Sequence, residues 1–284
     1  MSPEASYAHP PGGLPPQAAL MTQRAVFTEA YAVIPAACQT DIVASLLPGW
    51  RRTRAWVLAR PLSGFAETFS QYALEIAPGG GSDAPDAETG AEHVLFVTHG
   101  VVTLTIDGQG HDLDAGGYAY VPPATPWRLL AEGREPARLI WVRKLWEPAP
   151  GLAPPAAFVT NEADIPPVPM PDTEGRWATT RFVDPADLAH DMHVNIVTFQ
   201  PGGTIPFEET HVMEHGLYVL QGKAAYRLNR DWVEVGPGDF LWLRAFCPQA
   251  CYAGGPEPFR YLLYKDVNRH ARLRGAWSNR GTGG

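Results

Sequence analysis

Cysteine, lysine and long apolar runs are all scarce in this chain, and each scarcity excludes a class of protein. Three cysteines, Cys38, Cys247 and Cys251, are too few for a disulfide framework. Reduced thiols in a cytoplasm are the simpler expectation. Lysine occurs only at Lys144, Lys223 and Lys265, so arginine carries most of the positive charge. A lysine where the chain elsewhere prefers arginine hints that an amine was wanted. The basic residues form no cluster and the net charge is -8. Nucleic acid and anionic membranes are therefore not expected partners. No apolar run approaches the roughly 20 residues of a membrane span. The start, M-S-P-E-A-S-Y-A-H-P-P-G-G, lacks a basic segment followed by an apolar one, which reads as a chain without a secretory leader.

Glycine and proline, by contrast, are abundant, at 28 and 29 residues in 284. They punctuate short β-type runs: A-W-V-L-A-R, H-V-L-F-V-T-H, V-V-T-L-T-I, Y-A-Y-V, R-L-I-W-V-R, N-I-V-T-F, L-Y-V-L, A-A-Y-R-L, F-L-W-L-R and Y-L-L-Y-K. Many short strands with closely spaced turns predict an all-β barrel or sandwich. Short helical pieces are expected only near P-A-D-L-A-H and at the C-terminus. Residues 1–22 and 275–284 read as flexible tails.

An internal repeat sets the organisation. Glu92 to Gly100, E-H-V-L-F-V-T-H-G, superimposes on Glu214 to Gly222, E-H-G-L-Y-V-L-Q-G, at an offset of 122 residues. The same offset sets Gly116 on Gly238, Pro126 on Pro248 and Trp127 on Gln249. Two copies of one β unit are expected, 23–155 and 156–274, joined by the Pro-rich A-P-G-L-A-P-P-A-A.

The stretch Glu209 to Gly216, E-T-H-V-M-E-H-G, holds two of the nine histidines. Residues two apart in a strand share a face, so Glu209 and His211 are expected to point together. His215 can reach the same cavity after a turn. Glu214 falls on the opposite face and reads as structural. The alternative for both histidines is a plain surface or core role. The spacing Gly203-x5-Glu209-x-His211-x3-His215-x6-Gly222 resembles the first motif of the cupin family, with Glu and His exchanged. The stretch from Pro237 resembles the second, with Gln249 at its metal-binding position. The resemblance implies two tandem cupin barrels and a ligand set of Glu209, His211, His215 and Gln249. Such a mixed nitrogen and oxygen set suits Mn²⁺, with Fe²⁺ or Zn²⁺ as alternatives, one ion per chain.

The first repeat serves as a control. Its matching positions are Ala87, Thr89, His93 and Trp127, so the N-terminal barrel is expected to be metal-free. Its 79–91 stretch reads as a mobile loop. Tyr226, and Tyr261 with Lys265 on one strand face, are candidates to meet the metal site. Their bland readings are core packing and a solvated amine. Cys247 and Cys251 flank Gln249 and read as packing. Asp239 reads as a turn residue.

From about Arg24 to Arg269 the chain resembles the (S)-ureidoglycine aminohydrolase family of two-cupin enzymes. L-L-P-G-W-R-R-T-R, E-T-H-V-M-E-H-G, A-A-Y-R-L-N-R-D-W-V and Y-L-L-Y-K-D-V-N-R carry the likeness. The resemblance implies Mn²⁺ on the four ligands and substrate contacts from Tyr226, Tyr261, Lys265 and Gln249. It implies a small ureide substrate, a homo-oligomer, and conversion of ureidoglycine and water to ureidoglycolate and ammonia. Lys265 would pair with the carboxylate or protonate the departing amine, and Glu209 would shuttle a proton. A metal-dependent cupin dioxygenase and a non-catalytic cupin binding module are the rival classes.

Overall fold

The computed structural model describes residues 24–39, 47–61, 64–267 and 269. All ten apolar runs quoted above lie in strands, to within a terminal residue. The first repeat forms most of one nine-stranded sheet. The second divides between an eight-stranded sheet and a four-stranded one made of Thr204–Glu209, Gln249–Ala253, Ala224–Leu228 and Asp231–Val235.

Alternation along the central strands explains the packing. In Phe259–Asp266, the side chains of Phe259, Tyr261 and Leu263 enter the core of the second barrel. Leu262 and Tyr264 enter a different core. That second core also takes Phe69, Val94, Phe96 and Tyr120 from the first repeat, so it is the seam between the barrels. The first barrel has its own interior, with Leu74, Leu95, Leu104 and Trp141. A strand buried on both faces reads as a near-continuous apolar run, which is why R-L-I-W-V-R and Y-L-L-Y-K stand out in the sequence.

The seam is stitched by polar groups as well. Glu214 is buried and its carboxylate accepts from the backbone N–H groups of Glu67 (2.7 Å) and Thr68 (2.9 Å), the Thr68 hydroxyl (2.6 Å) and Trp242 Nε1 (2.6 Å). The Tyr264 ring stacks on Phe69 with centroids 3.9 Å apart. Gly216 sits against that pair. A Cβ there would stand 2.6 Å from Phe69 Cζ, so only glycine admits the close sheet approach.

Short strands cross between the repeats. Tyr31–Ile34 pairs with Phe240–Leu243 in the second repeat, and Phe158–Asn161 pairs with Gly117–Val121 in the first. The expected boundary at residue 155 therefore separates the sequence repeats, while each sheet borrows a strand from across it. Each borrowed strand pairs a row of backbone groups that would otherwise form a bare edge. Asp239 is more than a turn residue: it accepts from Gly236 N (2.8 Å) and from Ala36 N (2.7 Å), pinning the borrowed segment.

Two local expectations need correction. P-A-D-L-A-H forms turns, because Asp184 and Asp187 accept from the N–H groups of Ala186 and Ala189 and compete with a helix. Gly79–Ser82, expected in a loop, continues the Phe69–Ser82 strand and pairs with Trp50–Arg51 and Leu129–Leu130. The two tails and the C-terminal helical piece lie outside the described residues. Among the described residues, no helix is long and apolar enough to cross a membrane.

Replacing Glu214 by Ala removes the shared acceptor of four donors at the seam; the Thr68 hydroxyl keeps the Tyr264 hydroxyl as a partner, which leaves three without one. At about 1–3 kcal/mol for each unsatisfied group, the expected loss is about 3 kcal/mol or more. A denaturant titration checks this; a midpoint equal to that of the wild type would remove the carboxylate from the seam's support.

Candidate functional site

Four donors meet at one end of the second barrel. Glu209 closes the Thr204–Glu209 strand and lies in register with Gln249, the first residue of its neighbour. The register slips between Ile205 and Glu209, which turns the carboxylate toward the barrel end. His211 does not continue the strand, as simple alternation required. It lies in the loop beyond, anchored by Phe246 N donating to its carbonyl at 2.6 Å. His215 opens the His215–Gln221 strand.

The distances are short. His211 Nε2 is 3.2 Å from Glu209 Oε1, and Gln249 Nε2 donates to Glu209 Oε2 at 3.3 Å. The His211 and His215 rings meet edge to face, with centroids 5.0 Å apart. Tyr226 donates to Gln249 Oε1 at 2.8 Å, and its ring is 6.1 Å from that of Tyr261. Burial, reinforced by His211 and Lys265, pushes the His215 imidazole down to about 3 and holds it neutral.

Lys265 lies in register with His215 on one side and His193 on the other. It shares the inward face of its strand with Tyr261 and Leu263. It is not a solvated surface amine. Burial and the nearby Arg181 lower its pKa, with Glu209 opposing. All seven of these residues thus belong to the second barrel, six of them on its strands and His211 on the loop beside them.

Three further residues join them. His193 and Asn195 point inward from Met192–Phe199, and Arg181 follows the strand Trp177–Thr180 at the position opposite Asn195. The sequence signal for His193 was available: M-H-V-N-I-V-T-F alternates two residues further back than N-I-V-T-F. Nothing in the sequence marks Arg181, because its place depends on strand pairing.

Among the described residues, no group of three or more His, Cys, Asp or Glu side chains stands ready-made to hold a metal ion. Glu209 is instead bonded to His211 and Gln249. The donor chemistry still fits an ion: a carboxylate, an amide and two imidazoles, one of them held neutral, gather at one barrel end.

In the first barrel, aromatic rings fill the same place. His93 accepts from Trp141 Nε1 at 3.3 Å and packs against Trp127, the counterpart of Gln249. Arg143, the counterpart of Lys265, pairs with buried Asp86 at 2.9 Å. Cys247 and Cys251 are free thiols in the core of the second barrel, and burial raises both pKa values, which suits packing. A cleft of about 490 Å³ opens elsewhere, in the seam beside Lys144, Asp191, Asp266 and Arg269. Its charges are largely matched internally, as in the Lys144–Asp191 pair at 2.6 Å.

The two barrels and the polar cluster at the end of the second define a two-domain cupin. The cupin domain family profile matches residues 73–143 and 195–264. The chain is 30% identical to (S)-ureidoglycine aminohydrolase of Escherichia coli, over 82% of this chain and 87% of that one. It is 32% identical to the Arabidopsis thaliana enzyme of the same name, over 80% of this chain and 74% of that one. The chain belongs to the (S)-ureidoglycine aminohydrolase family. Its fold also matches a crystal structure from Pseudomonas aeruginosa described as a glyoxylate-induced protein, with a TM-score of 0.86 and 64% identity, over 90% of this chain and 95% of that one.

His93 offers a pH test. Burial holds its imidazole at about 3, against an ordinary value near 6.5. The unfolded chain takes up a proton there that the folded chain refuses. The stability this provides is complete above pH 6.5 and is lost as the pH falls toward 3. His93→Gln should reduce the slope of stability against pH, between about pH 4 and 6, by roughly one proton, about 1.4 kcal/mol per pH unit. Denaturation at several pH values measures it, and an unchanged slope would mean that the folded barrel admits the proton.

Proposed function

We infer that the protein is an (S)-ureidoglycine aminohydrolase, a hydrolase that replaces the amine of ureidoglycine by hydroxyl and releases ammonia. The observation that carries the reading is the meeting of Glu209, His211, His215 and Gln249 with Lys265, Tyr226 and Tyr261 in one barrel, in a chain whose curated relatives bear that name. The four donors would hold one Mn²⁺ per chain, with Fe²⁺ or Zn²⁺ as alternatives. A bound divalent ion supplies charge that fixes a carboxylate and a neighbouring heteroatom of the substrate.

The remaining work falls to side chains. The Lys265 ammonium faces the substrate carboxylate. Tyr226 holds the Gln249 amide through its 2.8 Å hydrogen bond. Glu209 accepts a proton from the attacking water. In balance, a C–N bond breaks, a C–O bond forms at the same carbon, and the water's protons are shared between the new hydroxyl and ammonia. The substrate is a small ureide in a cytoplasmic pathway, and the barrels supply the surfaces for a homo-oligomer. The curated relatives do not favour a dioxygenase or a non-catalytic module.

Protein loaded with Mn²⁺ should release ammonia and (S)-ureidoglycolate from ureidoglycine generated in the assay. Oxygen uptake with Fe²⁺ and no ammonia would move the chain to the dioxygenase class. Elemental analysis should find one ion per chain, lost in the His211→Ala/His215→Ala double variant. Lys265→Met should keep the ion and lower kcat/KM by about 10² or more, the scale of a positioned charged group. Lys265→Arg should not restore the rate fully, since a planar guanidinium does not reproduce a point ammonium. Near-normal turnover in the Met variant would leave the metal and the tyrosines to carry the reaction.

A further inference from the structure

We propose that Arg181, His193 and Asn195 form the substrate pocket on the far side of Lys265 from the four donors. Arg181 joins Lys265 on the carboxylate, and Asn195 with His193 receives the ureido group. The proposal rests on the functional reading above and assigns roles to three residues that it does not use.

Strand pairing puts the residues in two adjacent rows. His193, Lys265 and His215 are direct cross-strand neighbours on three consecutive strands. Neighbouring strands stand about 4.8 Å apart, so His193 and His215 are separated by roughly 10 Å, with Lys265 between them. One step deeper, Asn195 pairs with Leu263, and continuing the Thr180–Ile196 register brings Arg181 opposite Asn195. Trp177, Val197 and Phe199 of these strands face the barrel core, so Arg181 and Asn195 share the inward face by alternation.

Two buried polar atoms in these rows stand out. His193 and Asn195 are each only 4% exposed. His193 Nε2 and Asn195 Oδ1 have no hydrogen-bond partner among the described residues. Buried polar groups in folded proteins are nearly always paired, and exceptions call for an explanation. Leucine would suit position 195 better if packing were its only task, since Leu263 and Leu217 lie in the same row.

Charge supplies the second argument. Arg181 is close enough to Lys265 to disfavour its charge, with Glu209 opposing, and Arg181 makes no ion pair among the described residues. Two cations facing one cavity call for an anionic group between them, and the substrate has one carboxylate. The ureido group offers N–H donors beside a carbonyl acceptor. A primary amide presents the complementary donor and acceptor side by side, so Asn195 matches it as another amide would. Neutral His193, kept so by burial and by neighbouring cations, can extend the match without adding charge.

The test uses full-length Mn²⁺-loaded protein and two ligands. One is (S)-ureidoglycolate. The other is 2-hydroxy-4-methylpentanoate, which keeps the hydroxy acid and puts an isobutyl group where the ureido group stands. Calorimetry should show the wild type preferring ureidoglycolate by about tenfold or more, because a site built to hydrogen-bond rejects an analogue that cannot. Asn195→Leu should abolish or invert that preference and raise KM for ureidoglycine more than it lowers kcat, with ion content unchanged. Arg181→Gln should weaken both ligands by about the same factor, because both keep the carboxylate. His193→Phe should act as Asn195→Leu does, to a smaller degree. If the leucine variant does not fold, Asn195→Ser is read in the same way. An active wild type whose Asn195 variant keeps the full preference overturns the pocket and leaves the activity standing. A wild type that releases no ammonia takes down the activity and the pocket together.

Discussion

The register of the Phe259–Asp266 strand between its two neighbours is the constraint on which the site depends. It is buried on both faces, so each residue is committed to one core or the other. Tyr261, Leu263 and Lys265 face the barrel interior, while Leu262 and Tyr264 face the seam. A slip of one residue would send Lys265 into the seam and Tyr264 into the site. The apolar face is therefore what aims the polar one. The stacked Phe69–Tyr264 pair and the lack of a Cβ at Gly216 bring the two sheets close at the seam and favour this register.

The seam itself rests on related carboxylates that the two repeats treat differently. Glu214 is fully engaged as an acceptor. Glu92, its counterpart, accepts from Tyr120 at 2.7 Å, and Tyr120 stands where the second repeat has Trp242. Burial, then the hydrogen bond and charge of Asp191, raise the pKa of Glu92 well above the carboxylate range, while Asp191 takes the Lys144 ammonium. One repeat thus uses a carboxylate to gather neutral donors. The other shares a charge between an acid pair and a lysine, which costs less than burying two carboxylates unpaired.

The same divergence separates the two barrel ends. In the first, Trp127 and Trp141 close around His93, and Arg143 is matched by Asp86. That interior is satisfied and filled. In the second, Gln249 and Leu263 stand where those rings would be, and Glu209 is the carboxylate that acts on Lys265 among the described residues. Indole volume and charge matching fill one end, while the other gathers polar side chains. The seam uses the outer faces, which both repeats keep.

The sequence by itself determined the all-β class and the two repeats, through period-2 alternation and self-similarity at one offset, both of which are local or one-dimensional. The four candidate donors with Tyr226, Tyr261 and Lys265 were named in it through the resemblance of its motifs to a known family. Glu214 was legible as structural because alternation alone assigns its face. The exchange of Tyr31–Ile34 and Phe158–Asn161 between sheets was not legible, since pairing across the repeat boundary, about 210 positions apart in one case and about 40 in the other, leaves no mark on spacing. His211 lies off the strand that simple alternation required, because a register slip at Glu209 ends the pairing one step early. Asp86, Arg181, His193 and Asn195 came to light only through tertiary structure. Each is an ordinary residue in its own segment, and it acquires a role from what stands across from it on another strand.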